Sequence, residues 1–192
     1  LIWGVDTNRN YGYMWGYDNQ GSSPNPASDV YRGAAPFSEP ETDAIRGFLL
    51  SHPPAGLISY HNYSQLILYP WGYTYTPAPD AGMMREIAME MSSRISRVNG
   101  RQYTCGAADT LYLTNWDTTD WVYGTFGVPA FTIELPPENF ESGGFITPEE
   151  SITPILYENI PALVYFINRL TSHESPGHSK PGERFNKGKK SN

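Results

Sequence analysis

The sequence has 192 residues, 17% of them charged, and a formal net charge of −7. This length suits a single domain with a sizeable core. The acidic balance argues against a nucleic-acid-binding protein, because such proteins neutralise phosphates with Lys and Arg. No apolar stretch approaches the ~18 residues that cross a bilayer, so we expect no membrane segment.

The charge divides the chain into two regions. Residues 1–170 contain no lysine and carry a net charge of −10, whereas residues 171–192 contain all four lysines and carry +3. The second region is rich in Ser, Gly, Pro and Lys, so it buries too little surface to offset the entropy lost on ordering. We therefore predict a folded domain over residues 1–170 and a disordered basic tail over 171–192.

The folded region begins with a long ordered loop over residues 1–37, which is rich in Gly, Asn, Tyr and Pro. A helix follows, with Ser38 as its N-cap, and stops before Pro53. A second helix runs from a cap at Asp80 to a left-handed cap at Gly100. Its predicted apolar face consists of Met83, Ile87, Met91 and Ile95.

Short apolar runs predict strands of a buried sheet, at residues 56–60, 65–69 and 128–134. A short helix is predicted over residues 120–126. A helical segment follows over about 147–170, with a restart at Pro154 and a kink at Pro161. The alternation of strands and helices predicts an α/β fold.

Reactive side chains close two of the predicted strands. His61 follows the first apolar run, and Glu134 ends the third. Open α/β sheets bind ligands beyond the carboxyl ends of their strands, so both residues are candidates for a functional site. Either residue taken alone also has a purely structural explanation.

Two further features point to recognition of an anion. Arg9 lies between two asparagines, one of them Asn8. A guanidinium binds a carboxylate through two parallel hydrogen bonds, and an amide adds another donor. Tyr112 lies 22 residues before Glu134 in a predicted loop, where its hydroxyl could reach the same anion. The alternatives are an ion pair between Arg9 and Asp6, and a tyrosine that only packs.

The segments that carry these residues occur in a characteristic order. They read GVDTNRNY at 4–11, SYHNYSQLILYPWGY at 59–73, and TDW at 119–121 followed by FTIE at 131–134. Over roughly residues 3–170 the sequence resembles the zinc metallocarboxypeptidases of the carboxypeptidase A/B type, and most of all their bacterial carboxypeptidase T-like branch. The resemblance implies the C-terminal part of a mixed-sheet α/β/α metallocarboxypeptidase domain, without its N-terminal strands.

The resemblance also implies a role for each of these residues. His61 corresponds to the last zinc ligand, and Glu134 to the general base that deprotonates water. Asn8 and Arg9 correspond to the pair that holds the C-terminal carboxylate of the substrate. Tyr112 corresponds to the mobile tyrosine that closes over that carboxylate.

More residues belong to the substrate cleft by the same resemblance. Asn62 and Tyr63 correspond to positions beside the metal. Thr119 stands where the basic-specific members of the family carry an acid, and Asp117 lies near the same pocket. Together with the small residue Gly72, they imply broad acceptance of apolar or aromatic C-terminal residues, with some tolerance for basic ones.

The family's first two zinc ligands, which form a His-x-x-Glu motif, are absent from this sequence. None of its four histidines has Glu three residues later. His173 and His178 lie in the predicted tail, where ordering them would cost entropy. By the resemblance, the motif and an oxyanion-stabilising arginine would lie before Leu1. We therefore expect zinc as the cofactor, with one ligand in this chain, and little zinc binding or hydrolysis by the chain alone.

Functions of different classes remain open at this point. The first is a zinc-dependent exopeptidase that acts on peptide or protein C-termini, as a monomer outside the cell. The second is a non-catalytic module that binds C-terminal carboxylates through Asn8, Arg9 and Tyr112 without a metal. The third is a carbohydrate-binding surface built from exposed Trp and Tyr side chains.

Overall fold

A computed structural model describes residues 4–110, 113–114 and 117–172. The helices in these ranges are α1 (Pro40–Ser51), α2 (Ala81–Asn99), α3 (Thr118–Phe126) and α4 (Glu149–Thr171). The strands are β1 (Leu57–Asn62), β2 (Leu66–Tyr69), β3 (Thr104–Ala107) and β4 (Ala130–Leu135). Short 3₁₀ helices cover Thr7–Arg9 and Ala108–Thr110. Nearly all of the predicted tail lies outside the described residues.

The described strands form one mixed sheet in the order β1-β4-β2-β3. β1 runs parallel to β4, β2 runs parallel to β3, and β2 runs antiparallel to β4. β1 is therefore an edge strand of the sheet within the described part of the chain. The mixed sheet between helices confirms the predicted α/β class.

Helices cover both faces of this sheet. On one face, Phe131 of β4 packs edge-on against Phe166 of α4, with ring centroids 5.4 Å apart, and α2 contacts α4. On the other face, the hydroxyls of Thr119 in α3 and Thr132 in β4 form a 2.7 Å hydrogen bond. Successive strand side chains point to opposite faces, so Phe131 contacts the layer that contains α4, whereas Thr132 contacts the layer that contains α3.

The predicted apolar face of α2 is confirmed with one change. Ile87, Met91 and Ile95 are buried as expected, but Met84 is fully buried in place of Met83, which is only half-buried. Gly100 ends the helix with a φ of 83°, a left-handed conformation that glycine adopts without strain.

Three other features differ from the sequence-based expectation. Glu39, not Ser38, is the N-cap of α1, because the Ser38 hydroxyl instead accepts from Asn10 and donates to the Glu39 carboxylate. α4 continues unbroken through Pro154. Proline has no backbone N–H, so one carbonyl of the preceding turn lacks its helical donor. Because Pro154 is exposed, water can bind that carbonyl instead. β3 was not predicted, because it is four residues long and contains Gly106.

Asn10 fixes the N-terminal loop to α1. Its side chain is fully buried, and Nδ2 donates to the backbone carbonyls of Arg32 and Ala35 at 2.8 and 3.0 Å. Its Oδ1 accepts from the Thr42 hydroxyl of α1 at 2.6 Å. Because Arg9 precedes Asn10 in the chain, the same bonds restrain the backbone of Arg9.

An apolar groove of about 400 Å³ runs between α4 and the edge strand β1. Large side chains of α4 remain exposed along it, namely Ile152, Leu156, Ile160 and Leu163. Despite this apolar face, no helix in the described ranges is long and apolar enough to cross a membrane.

Glu158 joins α4 to the end of α2 and the start of β3. Its carboxylate is fully buried and accepts from Arg101 Nη1 and from the Tyr103 hydroxyl, both at 2.8 Å. The Asn99 side-chain amide donates to the same carboxylate. The buried charge is therefore well compensated, and the network holds α4 in place.

We predict that Glu158→Ala lowers the free energy of unfolding by about 3 kcal/mol, because it removes the acceptor of three donor groups and leaves the buried Tyr103 hydroxyl without that acceptor. Urea unfolding followed by tryptophan fluorescence measures this. The matched control is Glu90→Ala, which breaks the half-exposed pair with Arg94 and should cost less than about 1 kcal/mol. Equal losses in the two variants would contradict the prediction.

Candidate functional site

Neighbouring strands bring His61 and Glu134 together. β1 and β4 run parallel, and His61 lies directly opposite Glu134 in their register. Because strand side chains alternate, both point to the same face of the sheet as Ser59 and Thr132, which lie two residues earlier. Each reactive residue lies inside its strand, one residue before the end, rather than beyond it.

A cavity of about 260 Å³ lies beside this pair. The sheet contributes His61, Asn62 and Glu134 to its wall, and the N-terminal loop contributes Asn8 and Arg9. The other residues of the wall are Asp6, Leu68, Ala108, Thr114, Asp117, Thr132 and Phe145. The structure thus gathers six of the nine sequence-predicted site residues around one space.

Arg9 is a buried cation in this wall. It is 7% exposed, and it donates from Nε to the Gly21 carbonyl at 2.7 Å and from Nη1 to the Asn8 carbonyl at 2.9 Å. The ion pairs found within the described residues do not include Arg9. Asp6, the alternative partner, instead accepts the backbone N–H of Asn8 at 2.9 Å and caps the 3₁₀ turn. The guanidinium therefore keeps further N–H groups for an anion.

Asn8 is oriented by the start of α3. Its Oδ1 accepts from the backbone N–H and from the hydroxyl of Thr118, both at 3.2 Å. This leaves the amide Nδ2 as the group of Asn8 that can donate to a ligand. Asn8 and Arg9 thus place neighbouring donors on the same wall.

Asp117 and Asp120 form a buried pair of carboxylates at the beginning of α3. Asp117 caps the helix by accepting the backbone N–H of Asp120 at 2.7 Å, and it also accepts from the Thr114 hydroxyl at 3.2 Å. Asp120 accepts from the backbone N–H groups of Gly72 and Tyr73. Burial raises the pKa of both carboxyl groups.

Gly72 does not enlarge the cavity as its small size suggested. A Cβ at this position would collide with the hydroxyl of Thr114. The missing side chain therefore makes room for Thr114, which itself lines the cavity.

Two other predicted site residues, Thr119 and Tyr63, lie outside this wall. Thr119 is buried, and its hydroxyl bonds to that of Thr132, which lines the cavity. Tyr63 packs edge-on against Phe145, with ring centroids 5.0 Å apart. Tyr112 lies outside the described residues.

Burial shifts both reactive strand residues toward their neutral forms. It lowers the pKa of His61, an effect that nearby Asp117 opposes. It raises the pKa of Glu134 to about 7, although the positive charge of Arg9 acts in the other direction. A carboxyl group that titrates near neutral pH is suited to accept and return a proton.

The described residues meet only part of the requirement for a zinc site. A neutral imidazole such as His61 is a ligand that zinc prefers, and catalytic zinc sites use three protein ligands. The described ranges contain no group of three or more His, Cys, Asp or Glu side chains placed to hold a metal ion. His61 therefore fits one ligand position, and the described residues do not complete the site.

Several wall residues were not predicted from the sequence. Two of them, Asp6 and Thr132, could have been found from their positions in the sequence. Asp6 lies two residues before Asn8, and Thr132 lies two residues before Glu134 on the same strand. Phe145 had no such signal, because it lies in an irregular loop where no periodicity relates it to the strands.

The chain is similar to known zinc carboxypeptidases. Residues 2–162 match a family model described as zinc carboxypeptidase. Carboxypeptidase A1 of Rattus norvegicus is 37% identical over 175 residues, which cover 90% of this chain and 41% of the rat protein. Zinc carboxypeptidase A 1 of Anopheles gambiae is 35% identical over 176 residues, covering 90% of this chain and 40% of that protein. The chain thus spans about 40% of the length of these curated relatives.

Two solved structures are also similar to this chain. The crystal structure of thrombin activatable fibrinolysis inhibitor matches with a TM-score of 0.82 and 30% identity, over 88% of this chain and 43% of that chain. Carboxypeptidase A from Helicoverpa armigera matches with a TM-score of 0.81 and 26% identity, over 91% and 44%. The mixed sheet and its helices therefore correspond to part of a larger fold in each case.

The raised pKa of Glu134 predicts a dependence of stability on pH in the metal-free chain. The folded state keeps the Glu134 proton up to about pH 7, whereas an unperturbed glutamate releases it near 4.5. The associated stability is complete below about pH 4.5 and is lost as the pH rises through about 7. Glu134→Gln, which is always neutral, should exceed wild type by about 1 kcal/mol at about pH 8 and match it at about pH 4.

Urea unfolding at a series of pH values tests this expectation. Glu138→Gln removes an exposed carboxylate four residues away and serves as the control, which should run parallel to wild type. A constant difference between Glu134→Gln and wild type at every pH would show that the Glu134 carboxyl group has an ordinary pKa.

Proposed function

The chain belongs to the zinc carboxypeptidase family, and on that premise we propose that it forms the C-terminal part of an exopeptidase, which releases single residues from peptide C-termini. The main support is the pairing of His61 with Glu134 across the β1–β4 register, in one cavity with the buried guanidinium of Arg9. An imidazole, a proton acceptor and an anion-binding cation are the groups that this reaction requires on one wall.

Arg9 and Asn8 select the end of the substrate chain. Their N–H groups bind the C-terminal carboxylate of the peptide. An internal peptide bond would bring no anion to Arg9, and the charge of the desolvated guanidinium would remain without an anionic partner. That loss is costly, so the site discriminates chain ends from internal positions.

Glu134 moves the proton. It accepts a proton from the water that attacks the scissile carbonyl carbon, and then donates it to the departing amine. We propose that His61 holds zinc together with ligands outside the described residues, and the bound ion supplies Lewis acidity. This chain's own contribution is the placement of the imidazole, the proton acceptor and the carboxylate clamp.

We propose broad specificity for the released residue. The cavity wall contains the apolar side chains of Leu68 and Ala108, which suit apolar or aromatic residues. It also contains the carboxylate of Asp117, which can attract a basic residue. Thr119 carries no charge and its hydroxyl is bonded to Thr132, so this position does not support strict selection of Lys or Arg.

A non-catalytic role is the second candidate. The lack of a three-ligand metal group among the described residues favours it. In that case Arg9 and Asn8 bind peptide carboxylates without turnover.

We also propose that the exopeptidase is extracellular and monomeric. Both proposals rest on the family relationship and on composition.

A chimera tests the proposed function directly. The chain replaces the segment that it matches in rat carboxypeptidase A1, so the remainder of the domain supplies the other ligands. We expect zinc-dependent release of a C-terminal phenylalanine from a peptide with a free carboxylate, and none from its C-terminal amide. Glu134→Gln should lower the rate about 10²- to 10⁴-fold, while Glu138→Gln should leave it unchanged.

The outcomes separate the candidate functions. A folded, zinc-loaded chimera that binds carboxylate peptides without releasing residues would support the non-catalytic module. The 192-residue chain by itself should retain less than one equivalent of zinc and hydrolyse little. Stoichiometric zinc and robust turnover by the chain alone would refute the view that further ligands are required.

The specificity proposal predicts a selective effect of Asp117→Asn. Asparagine preserves the N-cap of α3, but it removes the negative charge from the cavity wall. In the chimera, kcat/KM for a C-terminal lysine substrate should fall several-fold, and kcat/KM for phenylalanine should change little. Equal effects on both substrates would exclude Asp117 as the group that attracts basic residues.

A further inference from the structure

Ser59 is bonded to the imidazole of His61. Both residues lie on β1, two positions apart, so their side chains share the face of the sheet that borders the cavity. Ser59 Oγ lies 2.9 Å from Nε2 of His61. Within the described residues, Nδ1 of His61 has no hydrogen-bond partner. The two ring nitrogens therefore have different surroundings.

We propose that Ser59 is a positioning residue, which accepts the Nε2–H of His61 and thereby holds the ring in the tautomer that leaves the lone pair on Nδ1. The connection of this lone pair to zinc rests on the proposed function. The bond itself is a property of the metal-free chain.

The balance of donors and acceptors favours this direction of the hydrogen bond. A neutral imidazole has one N–H and one lone pair. If Nε2 carries the hydrogen, the N–H is satisfied by Ser59, and only an acceptor remains without a partner. If Nδ1 carried the hydrogen, Ser59 would have to donate to Nε2, and the N–H at Nδ1 would find no acceptor among the described groups.

The same direction suits a metal ligand. A ligating histidine usually donates its other ring N–H to a neighbouring acceptor, and this bond fixes the tautomer and the orientation of the ring. Ser59 is the acceptor that the strand provides. Since it lies on the same strand as His61, the pleat of β1 sets the spacing of the two groups, and no loop has to move.

Nuclear magnetic resonance of the full chain labelled with ¹⁵N-histidine tests the proposal. The chain has four histidines, and the His61 signals are those lost in His61→Gln. Long-range ¹H–¹⁵N correlation at about pH 8, above the usual histidine pKa of about 6.5, identifies the protonated nitrogen. We expect Nε2–H in the wild type. In Ser59→Ala the ratio of the Nε2–H to the Nδ1–H tautomer should fall about fivefold, and Ser59→Thr, which keeps a hydroxyl, should restore it.

A second serine–histidine pair provides the matched control. Ser51 Oγ lies 3.1 Å from Nδ1 of His52 at the exposed end of α1. Ser51→Ala should leave the His61 signals unchanged, and Ser59→Ala should leave the His52 signals unchanged. A wild-type ring protonated at Nδ1, or an unchanged tautomer ratio in Ser59→Ala, would overturn the proposal. An inactive chimera combined with the expected tautomer change would overturn the proposed function alone.

Discussion

The parallel pairing of β1 with β4 is the constraint on which the site depends. It places His61 opposite Glu134, and the pleat turns both side chains toward the same cavity. A shift of one residue in either strand would send that strand's reactive side chain to the opposite face, which α4 covers. Polar contacts hold together the elements on the face that borders the cavity. Thr119 of α3 binds Thr132 of β4, and Thr118 of α3 binds Asn8 of the loop.

Two of the buried charge systems in the described part of the chain are arranged in opposite ways. Around Glu158 an arginine, a tyrosine and an asparagine all donate to one carboxylate, so the network is complete without a ligand. Around the cavity, the partners of Arg9 among the described residues are backbone carbonyls, and burial disfavours the charged forms of His61 and Glu134. The first system stabilises the fold. The second keeps groups in states that an incoming carboxylate and a proton transfer can use.

The sequence predicted the elements whose signals are local. The strand that carries His61, the strand that carries Glu134 and the long helix α2 each have a strong apolar pattern, and each is found close to its predicted position. Features that depend on distant partners were not predictable. Ser38 satisfied the local rule for an N-cap, yet Asn10, 28 residues away, binds its hydroxyl instead.

The same distinction applies to the candidate site. The motif spacing identified Asn8, Arg9, His61 and Glu134, which the fold gathers around one cavity. Strand order, which brings β4 between β1 and β2, has no local signal. The role of Gly72 could not be predicted for a similar reason, since only the packed structure reveals that Thr114 occupies the space beside it.

The buried Asn10 couples the proposed recognition of chain ends to the integrity of the N-terminal loop. Its bonds to Arg32 and Ala35 hold the loop together, its bond to Thr42 fastens the loop to α1, and Arg9 is the adjacent residue. The sheet and the long helices make no use of these bonds. If Arg9 binds carboxylates as proposed, partial unfolding of this loop would abolish that affinity while the circular dichroism of the protein stayed almost native. Ligand binding would then report the unfolding of the loop more sensitively than a spectroscopic measure of secondary structure.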